Sequence, residues 1–323
     1  MSGARSRSRS PHAESTLALA RASAREKRRF DFRLKFNQVV ALKSFMEVVS
    51  SVLKETEFNV VKTDSFRGIM VQGIDSSHVA LVKGRLGAET ELNVPNASFC
   101  ITVKNVIDVL TNAHPQHFVD FSRYEGDTDI TLRIYEPGVS TTRHVFTIRT
   151  LAKEAETMEI QDIGYDFYIE AELTAIKNAL KSAKSQRADS ITIKICERED
   201  RDPSAEVRNL WFILEYASDE MKGHNAFRST VKMSVDEGPV TIVAVDGKGA
   251  HEEDDEEDAE APMRTLYSGN FTSEFIFNFL KSMERFNVTF RLSNDKPLLL
   301  DYALGCSTSD SVRFVLAPRC TDV

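Results

Sequence analysis

Four stretches of this chain carry apolar residues at helical spacing, and each gives way to residues that alternate apolar and polar. In the first, Leu42, Phe45, Met46, Val49 and Leu53 fall on one face of a helix over about 39–54. The others lie near 103–113, 172–186 and 272–284. Ahead of the first, Phe30, Phe32, Leu34 and Phe36 alternate with Asp31, Arg33 and Lys35, the period of a half-buried strand. Ile191, Ile193 and Ile195 continue the third unit; Phe286, Val288, Phe290 and Leu292 continue the fourth. A helix followed by strands, four times in two halves, predicts an internal duplication. The fold class is α+β, with antiparallel sheets covered on one face by helices.

The 323 residues suffice for two domains, and no apolar run approaches the roughly 20 residues needed to cross a bilayer. Residues 1–29 hold seven Arg and one Lys against Glu14 and Glu26, around Ser6-Arg7-Ser8-Arg9-Ser10-Pro11. That composition predicts a disordered basic tail. Arg25-Glu26-Lys27-Arg28-Arg29 suits nuclear import, and the scarcity of acids also allows a mitochondrial presequence. With the tail at +6 and the chain at −8, the remainder carries −14. An acidic body still admits nucleic acid if its basic residues converge on one surface.

A domain is expected over 30–151 and a second over 167–320, with 152–166 as an acidic connector bearing two isolated apolar residues, Met158 and Ile160. Polar stretches at about 197–209, 218–224 and 247–262 read as loop insertions in the second half.

Little here suggests catalysis, a metal or a cofactor. The dense acidic run from Glu252 to Glu260 lacks apolar neighbours that would hold carboxylates at metal spacing, so it reads as a solvated loop. His114-Pro-Gln-His117 is not a zinc-protease motif, and Asp246-Gly247-Lys248-Gly249 lacks phosphate-loop spacing. Cys100, Cys196, Cys306 and Cys320 are too scattered for a zinc site and read as reduced thiols.

The third helix is the most informative. Leu173, Ile176, Leu180 and Ala183 form its apolar stripe, while Lys177, Lys181 and Lys184 fall on another face. Lys43, Lys104, Lys281 and Arg285 lie on or beside the other helices. Such a face reads equally as a solvated helix side or as a surface for phosphates.

Gln72-Gly-Ile74-Asp75-Ser76-Ser77-His78-Val79-Ala80-Leu81-Val82 resembles, nearly residue for residue, the first-domain signature of the PCNA family of DNA sliding clamps. Lys296-Pro297-Leu298 and Leu316-Ala317-Pro318-Arg319 resemble the family's closing strands. The resemblance runs from about Phe32 to Arg319. It implies the DNA clamp fold: two similar domains, each of two β-α-β-β-β units, with sheets outside and helices lining a ring. It implies no chemistry, no cofactor and no metal, but a homotrimer that encircles double-stranded DNA without sequence preference. A clamp loader would open the ring, and DNA polymerase and other PIP-box peptides would dock on it for replication and repair. Lys43, Lys104, Lys177, Lys181, Lys184, Lys281 and Arg285 would face phosphates. Ile74, His78, Val79, Leu81, Met158, Ile160, Pro297, Ala317 and Pro318 would form the partner groove. His78 by itself reads as a hydrogen-bonded structural histidine. The edges His144–Thr150, with Phe146 and Ile148, and Ala226–Ser234, with Val231 and Met233, would join neighbouring subunits. The expected setting is the nucleus, a viral replication site or the cytoplasm.

The chain departs from the family pattern in places. The connector reads Met158-Glu159-Ile160-Gln161, Glu197 stands where the family has its modified lysine, and Phe314-Val315 precedes Leu316. These differences imply a divergent member, from a large DNA virus or an unusual eukaryote. The alternative is a checkpoint-clamp-like subunit of a heteromeric ring, or a non-ring interaction protein.

Overall fold

The computed structural model describes residues 29–138, 142–152, 164–198, 207–217, 222–232, 240–244, 263–283, 287–304 and 310–319. The first half runs β1 (Phe30–Phe36), α1 (Val39–Ser50), β2 (Glu55–Lys62), β3 (Arg67–Ile74), β4 (Ala80–Gly87), β5 (Glu89–Leu92), β6 (Ala97–Thr102), α2 (Val103–Thr111), β7 (Phe118–Tyr124), β8 (Ile130–Tyr135) and β9 (Thr142–Ile148). The second runs β10 (Phe167–Glu172), α3 (Leu173–Ser185), β11 (Ser190–Arg198), β12 (Val207–Ala217), β13 (Lys222–Lys232), β14 (Val240–Ala244), β15 (Met263–Thr272), α4 (Ser273–Lys281), β16 (Asn287–Leu292), β17 (Leu298–Ala303) and β18 (Ser311–Leu316). The two halves repeat the same order of elements, with one short strand (β5, β14) more per half than the sequence pattern predicts.

Pairing follows the duplication. A five-stranded sheet runs β5-β1-β7-β8-β9, and its counterpart β14-β10-β16-β17-β18 recurs in the second half. Likewise β4-β3-β2-β6 is matched by β13-β12-β11-β15. The halves are joined where β18 pairs with β4, from Ser311↔Arg85 to Leu316↔Ala80, making one nine-stranded sheet. Gly87 N–H donates to the Asp310 carboxylate at 2.8 Å across the same seam.

Two expectations need correction. The sheets are not wholly antiparallel: β14 runs parallel to β10, whereas β5 runs antiparallel to β1. Only Ala88 separates β4 from β5, while seven residues, 233–239, separate β13 from β14. Second, strands reach into the ends of the polar stretches read as insertions, the remainder of which (199–206, 218–221 and 247–262) lies outside the described residues. Glu197 and Arg198 lie in β11, β12 starts at Val207 and β13 at Lys222, because ladder hydrogen bonds hold polar residues as well as apolar ones.

Helices α1 and α4 lie on one face of the nine-stranded sheet. Phe45 of α1 sits over β4, where a Cβ on Gly84 would come within 2.8 Å of its ring; only glycine admits the helix this close. Phe279 of α4 stacks on Phe314 of the adjacent β18, with ring centroids 4.4 Å apart. Side chains that alternate with Gly84 and Phe314, such as Leu81, Lys83, Arg313 and Val315, therefore point to the opposite face.

Candidate partner groove and helix face

The turn between β3 and β4 is built by Asp75. Its carboxylate accepts the Val79 amide at 2.8 Å, the Ala80 amide at 2.6 Å and the Ser77 amide at 2.9 Å, and the Ser77 hydroxyl as well. Burial alone would raise the Asp75 pKa, but the bonds from Ser77, Ala80 and Val79 outweigh it and hold the acid below its ordinary value. His78 takes the left-handed conformation, φ 60°, and is exposed, so the signature histidine is a turn residue at the rim.

Against this turn lies the carboxyl-terminal segment. Ala317 N–H donates to Val79 C=O at 3.0 Å, which leaves Ala317 and Pro318 exposed beside the signature. Pro297 immediately precedes β17, next to β18, and its carbonyl accepts the Tyr165 hydroxyl at 3.2 Å. Lys296 Nζ donates to Gly164 C=O at 2.5 Å, so the chain leaving the connector is tied at the same place. Ile74, His78, Val79, Leu81, Pro297, Ala317 and Pro318 are thus brought together from segments more than 200 residues apart. Met158 and Ile160 lie outside the described residues.

The register exposes a feature that sequence reasoning missed. Leu299, Val315, Leu81 and Ile74 are successive partners across β17, β18, β4 and β3, one apolar row on the face away from the helices. Leu299 and Val315 were absent from the expected groove. The unbroken Leu298-Leu299-Leu300 run was the available signal, because a strand with one solvated face should have alternated there.

The lysine face is less uniform than its spacing suggests. Lys43 pairs with Glu47 at 3.8 Å and Lys104 with Asp108 at 2.6 Å, each one helical turn on. Lys177 does not stand free: its ammonium donates to Lys281 C=O at 3.3 Å and to Met283 C=O, at the end of α4. Helix carboxyl ends present unpaired carbonyls and partial negative charge, which attract a cation from the neighbouring helix. Lys184 lies over the Phe277 ring at 3.9 Å. Lys181 and Lys281 are exposed. Arg285 lies outside the described residues.

The expected subunit edges are both outermost strands. β9 ends the five-stranded sheet and β13 ends the four-stranded one. On β9, Ile148 is buried and Phe146 packs partly beside the core, while Val145 is 55 % exposed on the other face. Val231 is paired with Arg208 in the β12–β13 ladder, and Met233 lies outside the described residues. No group of three His, Cys, Asp or Glu among the described residues is placed to hold a metal ion. Among the described residues no helix is long and apolar enough to cross a membrane.

A duplicated α+β layer, continuous through one shared sheet, with helices on one face and an apolar row on the other, is the two-domain clamp class of fold. Residues 31–134 match the family described as the proliferating cell nuclear antigen (PCNA), N-terminal domain. PCNA of Chaetomium thermophilum is 24 % identical over 296 residues, 89 % of this chain and 98 % of that protein. Among solved structures, PCNA from Entamoeba histolytica aligns with TM-score 0.65 at 19 % identity, over 90 % of this chain and all of that one. PCNA from Thermococcus kodakaraensis aligns with TM-score 0.63 at 18 % identity, over 89 % and 100 %. A PCNA2–PCNA3 complex from Sulfolobus tokodaii gives 0.62 at 16 %, over 89 % and 99 %. The chain thus has the fold of PCNA clamps, and residues 31–134 match that family's N-terminal domain.

Proposed function

We propose that this chain is a processivity factor: it closes into a ring around duplex DNA, slides on it, and tethers replication and repair enzymes through peptides docked in the groove. One observation carries the ring. Within the chain, β18 of the second half pairs with β4 of the first. By the duplication, β9 is the counterpart of β18, and β13 is the counterpart of β4. Two unpaired edges thus match the two strands that already join the halves. Pairing β9 of one copy with β13 of the next repeats the internal seam, and a head-to-tail contact of this kind closes when the rotation permits. Three copies would supply six similar domains. In that seam Phe314 and Leu316 face the core while the backbones pair; Phe146 and Ile148 would do the same on β9.

Helices and apolar row occupy opposite faces of the nine-stranded sheet, which suits a protein holding DNA on one side and partners on the other. Lysine contacts with phosphate carry no sequence information and exchange readily with salt, as sliding requires. Lys181 and Lys281 are the cations with the fewest competing contacts, followed by Lys184. Nothing in this reading supplies the energy for opening, so a separate loader is part of it. The Sulfolobus tokodaii neighbour, a complex of two different PCNA chains, favours a second reading in which this chain is one member of a heteromeric ring.

The test pairs light scattering with primer extension on a circular template in the presence of a loader. A trimer that makes the polymerase processive, weakened by Lys181→Glu with Lys281→Glu, is the expected result. A protein monomeric at micromolar concentration, with or without other clamp chains, would refute ring closure.

A further inference from the structure

We infer that the partners of this clamp carry acidic residues immediately beside their apolar anchors, an inference that rests on the peptide-groove reading. Two residues along the strands from the apolar row, about 6.6 Å away, lies a second row on the same face. It consists of Asp301, Arg313, Lys83 and Gln72, again successive partners across β17, β18, β4 and β3. One step further, Arg85 is opposite Ser311 and Met70. Arg291, opposite Leu299, completes the set from β16.

Four cations therefore share this part of the sheet with Asp301. Asp301 is already taken twice, by Arg291 and by Arg313 Nε at 2.8 Å, and Glu170, further along the same row beyond Thr289, accepts from Asn287 at 2.8 Å. Arg291 also lies over the Tyr168 ring at 5.2 Å. Lys83 and Arg85 form no ion pair among the described residues, and Arg85 is exposed. On a chain of net charge −8 this is a positive island. Its position sets the partner's chemistry. The apolar row is bounded on one side by Val79, Ala317 and Pro297. Among the described residues, the side of the row away from Val79, Ala317 and Pro297 carries Arg313, Lys83 and Arg85 beside a peptide lying along it. Carboxylates there meet Lys83 and Arg85, which form no ion pair among the described residues, whereas lysines there meet like charge.

The experiment uses the full chain and three fluorescent peptides with identical anchors (glutamine, a spaced aliphatic and two aromatics) flanked by four Glu, four Ser or four Lys at each end. The Glu-flanked peptide should bind about fivefold tighter than the Ser-flanked one at low salt, the scale of two or three exposed ion pairs. That gain should vanish near 0.5 M salt. A Lys83→Glu/Arg85→Glu variant, checked for unchanged Tm, should reverse the order. Equal binding of Glu- and Ser-flanked peptides, or tighter binding of the Lys-flanked one, overturns the charge inference while leaving the groove intact. If none of the three binds, the groove reading falls and takes this inference with it. A short oligonucleotide that displaces the Glu-flanked peptide at equal charge would reassign the island to nucleic acid.

Discussion

Replacing Phe314 with alanine would test whether the seam between the halves is a structural keystone. Phe314 is fully buried in β18, is flanked by Leu300 and Val82 in the ladder, and stacks on Phe279 of α4 with an interplanar angle of 17°. Removing such a ring costs about 3–5 kcal/mol, lost transfer energy plus the cavity left behind. Loss of the stacked pair pushes the cost towards the upper end. At roughly 2–4 °C per kcal/mol for domains of 150–250 residues, Tm should fall by about 6–20 °C in differential scanning calorimetry. The neighbouring Val315→Ser is the matched control, since Val315 points to the other face and is only half-buried. It should leave Tm within about 2 °C yet weaken binding of an anchor peptide. A fall below 3 °C for Phe314→Ala, or equal falls for both variants, would refute the assignment of the two faces.

Two further outcomes follow from single side chains. Asp120 is 1 % exposed and relies on Arg33, whose Nε lies 2.5 Å from Oδ2; Arg33→Met should cost about 3–5 kcal/mol by chemical denaturation, and adding Asp120→Asn should recover much of it. Because the folded Asp75 has a depressed pKa, its contribution is complete above the ordinary carboxylate value of 3.8 and is lost as pH falls through the lower folded value. Asp75→Asn should therefore lower Tm at pH 7 and flatten the acid limb of the stability curve below about pH 4.

The periodicity of the chain was enough to locate all four helices and the duplication, because apolar spacing is imposed locally by the geometry of helix and strand. Leu42, Phe45, Met46 and Val49 are buried where their spacing put them, and so are Leu173, Ile176, Leu180 and Ala183. The same spacing did not reveal the contact of Lys177 with the end of α4, since nothing near it in the sequence announces that this end will lie alongside. Leu299 and Val315 were missed for a related reason: an outward apolar residue is indistinguishable from a core one until the strand's partners are known.

The amino-acid sequence alone determined the helical segments, most of the strands and, through the signature at 72–82, the family they resemble. The tertiary structure decided what those segments meet. Only the register of β18 on β4 aligns Leu299, Val315, Leu81 and Ile74 into one row, with Arg313 and Lys83 beside it. Pairing between strands some 230 residues apart depends on backbone hydrogen bonds available to any residue, so side-chain pattern leaves it open, and the assembled sheet is what makes distant residues neighbours.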